Sequence, residues 1–311
     1  MALFLSNDDV RSLLPMNECI EVLDDLFRQE ARRAVENMAR VRRRFPESTF
    51  MATLMGGTLL EAGAFGVRHA SATLLYDTRS GKLDAVVEPG TMSWIRTGAA
   101  TGVAVKYMSR PDASVVGVFG TGHQAETQVE GICAVRPVSL VKVYSRSEEN
   151  RTRFAERMRE RLGVEVVPAA TPEETVQGSH IVVTITNARE PVFDGALLEP
   201  GTCVIAAGVN SYAKREVDDT TIRRANLVVV DNLEQAKTEC GELVSAADRG
   251  WYRWTSTVEL HEVVSGRVNG YPSDDAITLF ESQGIGIEDV ASCVHVLKKA
   301  RAAGVGIELP F

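Results

Sequence analysis

No apolar run in the 311-residue chain approaches the ~18 residues that a transmembrane helix needs. Residues 1–9 carry no basic stretch before their few apolar side chains, so a secretory signal peptide is not expected. Excess positive charge is missing too. The formal net charge of −8 argues against nucleic acid and anionic membrane as partners. Cysteine is scarce: Cys19, Cys133, Cys203, Cys240 and Cys293 are scattered, odd in number and free of C-x-x-C spacing. That pattern speaks against a disulfide framework or a zinc site and suits a reducing cytoplasm. Glu239-Cys-Gly-Glu242 mimics metal spacing, but two carboxylates around one thiol with no histidine nearby make a poor zinc set. Low-complexity tracts are absent, and the 44% hydrophobic content supplies core for two domains.

What is present is most informative at Val115-Val-Gly-Val-Phe-Gly-Thr-Gly-His-Gln-Ala125. A short β-branched and aromatic run reads as a buried parallel strand. Gly120 and Gly122 break it, and Ala125, Val129, Ile132 and Cys133 then recur as one helical stripe. Strand, Gly-x-Gly-x-x-Ala and helix form the first turn of a dinucleotide-binding unit. Gly120 allows the tight turn, Gly122 lets backbone approach a pyrophosphate, and Ala125 permits close helix–strand packing. Thr121, His123 and Gln124 lie in the same loop, where free N–H groups at the helix start favour phosphate.

Around this loop the chain changes rhythm. Before Pro111, Asn7 or Asp8 can cap a short helix, and residues 16–33 read as a longer one through Ile20, Val22, Leu23, Leu26 and Phe27. Residues 49–55 and 64–76 look like strands, Ser80-Gly81 turns into a strand at 83–87, and a helix follows over 91–108. Such locally paired strands with flanking helices suggest an α+β domain. After Pro111, strand-like runs at 115–119, 140–144, 164–168, 181–186, 203–207 and 227–230 alternate with helices or loops. The helix from Ser147 to about Leu162, followed by Gly163, is the clearest. The fold class is therefore α/β, a doubly wound Rossmann sheet with an α+β partner domain.

The second strand ends Tyr144-Ser-Arg-Ser147, where an NAD enzyme usually places an acid for the ribose 2′-hydroxyl. Arg146 with the hydroxyls of Ser145 and Ser147 suits a 2′-phosphate instead. NADP(H) is preferred and NAD(H) remains possible, with Ser147 as a plain helix cap the alternative.

Seven further segments complete a pattern: Trp94-Ile-Arg-Thr-Gly-Ala-Ala100, Lys106-Tyr-Met-Ser-Arg110, Ser179-His-Ile-Val-Val-Thr184, Pro200-Gly-Thr-Cys-Val-Ile-Ala-Ala-Gly-Val-Asn210, Lys214-Arg-Glu216, Ile277-Thr-Leu-Phe-Glu-Ser-Gln-Gly284 and Ile287-Glu-Asp289. Their order resembles the ornithine cyclodeaminase and μ-crystallin family over essentially the full length, with His180 standing where the family usually has an acid. The resemblance implies a discontinuous substrate-binding and dimerisation domain, 1–112 with 285–311, and a Rossmann domain over 113–284. It implies a homodimer, an active site in the cleft between domains, and amino acids or their imines as substrates. Thr97, Thr184, Gly208 and Gly284 join the cofactor-binding set on the same basis.

Within that resemblance Arg96 matches the carboxylate-binding arginine, whose planar fork grips bidentately. Arg40 is the better match for a second one among Arg40, Arg42, Arg43 and Arg44. Two departures weigh more. The family usually has lysine where Arg68 stands, and the cyclodeaminases have a proton-transferring aspartate where Asn210 stands. Neither arginine nor an amide exchanges protons near neutral pH. His69 faces away from Arg68 on a strand, and Lys214 suits the surface. The residues thus suggest an NAD(P)-dependent amino-acid dehydrogenase or imine reductase in which Arg40, Arg68 and Arg96 hold the carboxylate and Asn210 orients the amine or a water. The alternatives are ornithine cyclodeaminase and a nucleotide-binding protein without catalysis. No metal is indicated.

Overall fold

The computed structural model describes residues 1–310. It divides into two compact units, Met1–Ala99 with the segment from Ile285 onward, and Ala100–Gly284.

The first unit opens with β1 (Ala2–Leu5) and α1 (Asn7–Leu13). Ser6 caps α1, one residue before the expected Asn7 or Asp8: its Oγ accepts from the Asp9 N–H, and the Asp9 carboxylate accepts from the Ser6 N–H. Asn7 is engaged elsewhere, its side-chain oxygen accepting from the Thr91 N–H. α2 (Met16–Ala31) buries Cys19, Ile20, Leu23, Leu26 and Phe27 on one face, while Val22 of the expected stripe is only half-buried. β2 (Val35–Arg44), β3 (Met51–Leu59), β4 (Ala64–His69), β5 (Ala72–Asp77) and β6 (Leu83–Val87) follow as antiparallel neighbours. The run 64–76 is thus two strands, broken by a turn at Ala70-Ser71. β2 escapes sequence reading because it is an edge strand on which only Val35 is buried, so no two-residue alternation marks it. α3 (Pro89–Met108) carries the chain from the first unit into the second.

The second unit begins with β7 (Val115–Phe119), α4 (His123–Cys133), β8 (Leu140–Tyr144), α5 (Glu148–Leu162) and β9 (Glu165–Pro168). Then come α6 (Pro172–Val176), β10 (Ile181–Thr184), β11 (Cys203–Ala206), α7 (Asp219–Arg224), β12 (Leu227–Val230), α8 (Leu233–Glu239) and α9 (Gly241–Asp248). β13 (Thr257–Glu259), α10 (Leu260–Val264) and β14 (Thr278–Glu281) complete it. The sheet is parallel throughout, in the order β13-β12-β14-β11-β10-β7-β8-β9. This is a doubly wound Rossmann sheet with two strands more than the six expected. β14 inserts between β11 and β12 and is buried at all four positions. From β7 the chain steps outward to β8 and β9 and then returns to β10 on the other side. That reversal marks the switch point where such sheets bind ligands.

The chain ends in the first unit with α11 (Gly286–Ala303) and β15 (Ile307–Leu309), giving a seven-stranded sheet ordered β15-β1-β6-β5-β4-β3-β2. α11 packs on β3 and β4 at very close range. A Cβ on Gly286 would lie 2.2 Å from the Gly56 nitrogen, so only glycine lets the helix start against the strand. That contact fixes where Glu288 and Asp289, in the first turn of α11, are delivered.

Candidate active site

The glycine loop expected to bind a nucleotide lies in the second unit. Gly120 has φ of 118°, and a Cβ there would sit 2.4 Å from the Ile185 carbonyl oxygen, so the turn after β7 requires glycine. Gly122 is the N-cap of α4, and no side chain caps that helix. Its first N–H groups and the positive end of its dipole are suited to an anion. His123 is exposed, Thr121 and Gln124 are half-buried, and Ala125 is fully buried. An uncapped helix start under a glycine turn at the switch point fits a dinucleotide pyrophosphate.

At the end of β8, Ser147 Oγ accepts from the Asn150 N–H and caps α5, while Ser145 Oγ donates to the Ser147 carbonyl. Both hydroxyls therefore have structural partners, as the helix-cap reading of Ser147 anticipates. Arg146 is exposed and its guanidinium makes no hydrogen bond within the protein. Arg151 adds a second cation here, with Nη1 donating to the Ser145 carbonyl and the guanidinium 5.8 Å from the Tyr144 ring centroid.

Three other expected cofactor residues, Thr97, Gly208 and Gly284, have donors engaged inside the protein. Thr97 Oγ1 donates to the Ser93 carbonyl within α3. The Gly208 N–H donates to Glu216 Oε2, and the Gly284 N–H to Asp231 Oδ2. Thr184 is fully buried in the sheet, its hydroxyl without a hydrogen-bond partner. His180, in place of the family's acid, accepts from the Ser114 N–H through Nδ1 and steadies the start of β7.

Sequence reading misses the group that organises the strand ends. Glu216 is fully buried. Its Oε1 accepts from the Thr186 N–H and hydroxyl, each at 2.6 Å, and its Oε2 from the Gly208 N–H at 2.7 Å. One carboxyl thus joins the loops leaving β10 and β11. Its own N–H donates to Glu242 Oε1 at 2.6 Å. Burial pushes the Glu216 carboxyl up to about 7, against the opposing pull of the Thr186 and Gly208 donors. Glu242 and Glu281 are raised for the same first reason. Ligand atoms of Cys240, Glu242 and Glu281 lie within 4.8 Å of one another, so Glu281 of β14, not Glu239, completes the group the sequence suggests. Burial holds the Cys240 thiol in its protonated form, whereas a metal needs the thiolate. Beyond this cluster Asn210 is exposed and Lys214 half-buried, and neither side chain makes a hydrogen bond among the described residues.

Arg40, Arg68 and Arg96, the side chains expected to hold a carboxylate, belong to the first unit. Arg96 Nη1 donates to Glu288 Oε2 at 2.8 Å, and its Nε lies 3.5 Å from Asp289 Oδ2. Arg68, on β4, donates from Nη1 to Asp289 Oδ1 at 2.9 Å and to Ser93 Oγ at 3.0 Å. The fork of Arg96 is therefore turned toward two protein acids and is not wholly open to a ligand. Its side chain is only 5% exposed against 21% for Arg68, which makes Arg68 the more reachable cation. Arg68 Nε and Nη2 have no hydrogen-bond partner among the described residues. Arg40 stands apart from the neighbouring arginines because the register of β2 against β3 shifts between Met38 and Val41. Arg40 and Arg42 are half-buried, whereas Arg43 and Arg44 are exposed. His69 lies against Phe50, ring centroids 6.2 Å apart.

The ornithine cyclodeaminase/mu-crystallin family matches residues 2–304 of this chain. A Delta(1)-pyrroline-2-carboxylate reductase of Bacillus cereus is 30% identical, the comparison covering 99% of this chain and all of the relative. The same activity from Thermococcus litoralis, in complex with NADH and L-proline, is 30% identical with a TM-score of 0.95, covering 99% of this chain and 100% of that one. An archaeal alanine dehydrogenase dimer with bound NAD is also 30% identical, at a TM-score of 0.91 over 100% of this chain and 99% of that one. The chain belongs to the ornithine cyclodeaminase/mu-crystallin family.

Proposed function

We propose that this chain, an NAD(P)-dependent oxidoreductase acting at C–N bonds, reduces a small 2-imino carboxylate at its Cα and can run the reverse oxidation of the amino acid. The carrying observation is the pair Arg68 and Arg96 beside Glu288 and Asp289, with no titratable base at either family position. The residues Gly120 to Ala125 and the start of α4 would hold the pyrophosphate. Arg146, free of protein acids, would take a 2′-phosphate, so NADP(H) is the preferred cofactor. Bound nicotinamide supplies or accepts the hydride.

The other roles fall to the chain's own side chains. Arg68 binds the α-carboxylate, with Arg96 behind it and Arg40 as the third cation. Asn210 hydrogen-bonds the substrate nitrogen or a water. An imine that arrives protonated becomes a neutral amine once it accepts hydride, so the reduction needs no protein acid. Ring closure of ornithine asks more, and Lys214, four residues beyond Asn210, is a titratable group that keeps ornithine cyclodeaminase as the alternative. Similarity to an alanine dehydrogenase dimer supports a homodimer, as does the exposed apolar set Met38, Val41, Phe45, Phe50, Met51 and Leu54 on and between β2 and β3. Among the described residues no helix is long and apolar enough to cross a membrane. Cytoplasmic location remains part of the proposal.

The test is oxidation of NADPH and NADH with 1-pyrroline-2-carboxylate and with 2-oxo acids plus ammonia or methylamine, alongside ammonia release from ornithine. Net oxidation with the imines, faster with NADPH, is expected. Ammonia from ornithine with no net change in cofactor absorbance would establish the alternative. Tight nucleotide binding with silence in both assays would make the chain a binding protein.

A further inference from the structure

The two arginines of the carboxylate half pose an electrostatic problem that the first turn of α11 resolves. Arg68 and Arg96 come from different elements, β4 and α3, and both reach the same carboxylate. Asp289 is fully buried, with Oδ1 on Arg68 and Oδ2 on Arg96. Glu288 is fully buried as well and takes Arg96 Nη1. Two guanidinium groups side by side repel in a medium of low dielectric, and each has long, flexible χ angles. The two acids offset that repulsion: Asp289 accepts a charge-assisted hydrogen bond from Arg68 and Glu288 one from Arg96, while Asp289 Oδ2 stands 3.5 Å from Arg96 Nε as an ion-pair contact. α11 delivers that carboxylate accurately because Gly286 rests on the Gly56 backbone. The negative side chains also sit in the first helical turn, where the dipole favours them.

We infer that Asp289, with Glu288 in support, is a positioning residue for substrate recognition. It holds Arg68 and Arg96 in one fixed geometry, so that the unpartnered Nε and Nη2 edge of Arg68 is presented to the substrate carboxylate. This rests on the imine-reductase reading for the identity of the ligand and goes beyond it in assigning the acids. Neither acid touches the substrate. Their effect is selective: it falls on ligands that carry a carboxylate and spares an imine that lacks one.

The experiment compares the wild type with Asp289→Asn, Glu288→Gln and Asp289→Glu. Two readouts are used: the affinity for pyrrole-2-carboxylate, a planar carboxylate probe, by calorimetry in the presence of NADPH, and kcat/KM for 1-pyrroline-2-carboxylate against uncharged 1-pyrroline. Asp289→Asn should weaken the probe and raise KM for the carboxylate imine by roughly tenfold or more, as misplacement of a binding group does. NADPH affinity and the constants for 1-pyrroline should stay within about twofold, and Asp289→Glu should recover part of the loss. Ser93→Ala, which removes one restraint on Arg68 and strands no charge, should show the same selectivity at about threefold, and it decides the matter if Asp289→Asn does not fold. Equal losses for both imines, or an unchanged preference for the carboxylate, would overturn the inference. The reading beneath it fails separately, when the wild type neither binds the probe nor reduces the carboxylate imine, and the inference then falls with it.

Discussion

The proposed nucleotide half and the proposed carboxylate half are built in opposite ways. In the Rossmann unit, strand, glycine turn and helix are contiguous from Val115 to Cys133, and the chemistry is carried by backbone groups at a helix start. In the first unit the working side chains come from Arg68 on β4, Arg96 on α3 and Glu288 and Asp289 on α11, brought together across some 221 residues of sequence in the Arg68–Asp289 bond. The first design tolerates changes of side chain and fails when backbone conformation changes. The second fails when one charge is taken from a buried set.

Removing Arg96 should have the largest effect. Arg96→Met leaves Glu288 and Asp289 buried with one counter-ion fewer, and a broken buried pair costs about 3–5 kcal/mol. Thermal unfolding should show that loss, and kcat/KM for carboxylate substrates should fall by about a thousandfold or more if folded enzyme is recovered. Unchanged kinetics would remove Arg96 from the site. Next is Gly120→Ala, which forces a Cβ toward the Ile185 carbonyl at a φ that favours glycine. Nucleotide affinity measured by fluorescence titration should drop by about a hundredfold, with stability lower by about 1–3 kcal/mol.

How far these features are legible in sequence follows the same division. The glycine loop, the strand edges at 115–119 and 140–144 and the α5 cap at Ser147 are local, so neighbours in sequence are neighbours in space. β14 is missed because four buried residues inside a motif give no periodicity, and β2 because it is an exposed edge. Glu216 stands in the Lys-Arg-Glu motif, yet its task depends on Thr186 and Gly208, which only the sheet brings to it. Ile287-Glu-Asp289 is likewise visible as a motif, while its contact with the arginines depends on α11 returning to the first unit. The sequence likewise does not reveal that Glu288 and Asp289 lie against the Arg96 guanidinium.

Glu216 sharpens the comparison through pH. Its folded-state value is raised above that of an unfolded glutamate, so the folded protein binds the extra proton between the two values. Its contribution to stability is fully present below about pH 4.5 and is lost as pH rises through about 7. The wild type should therefore lose about 2.5 kcal/mol relative to Glu216→Gln between pH 5 and 8 in denaturant unfolding. A constant difference across that range would mean that burial does not hold the proton. The smallest effect concerns Arg146→Ala, which should lower the preference for NADPH over NADH by about tenfold, or 1.4 kcal/mol, with stability unchanged. An unaltered preference would place the 2′-phosphate elsewhere, Arg151 being the next cation along α5.

The most direct test of the account is the pH profile of kcat/KM for 1-pyrroline-2-carboxylate with NADPH consumption as the readout. With Arg68 and Asn210 at the two family positions, the rate should follow protonation of the imine itself, falling as pH rises through the substrate's own pKa and shifting when a substrate of different basicity replaces it. A profile that stays fixed when the substrate is changed would require a proton-transferring group of the protein and would contradict the account.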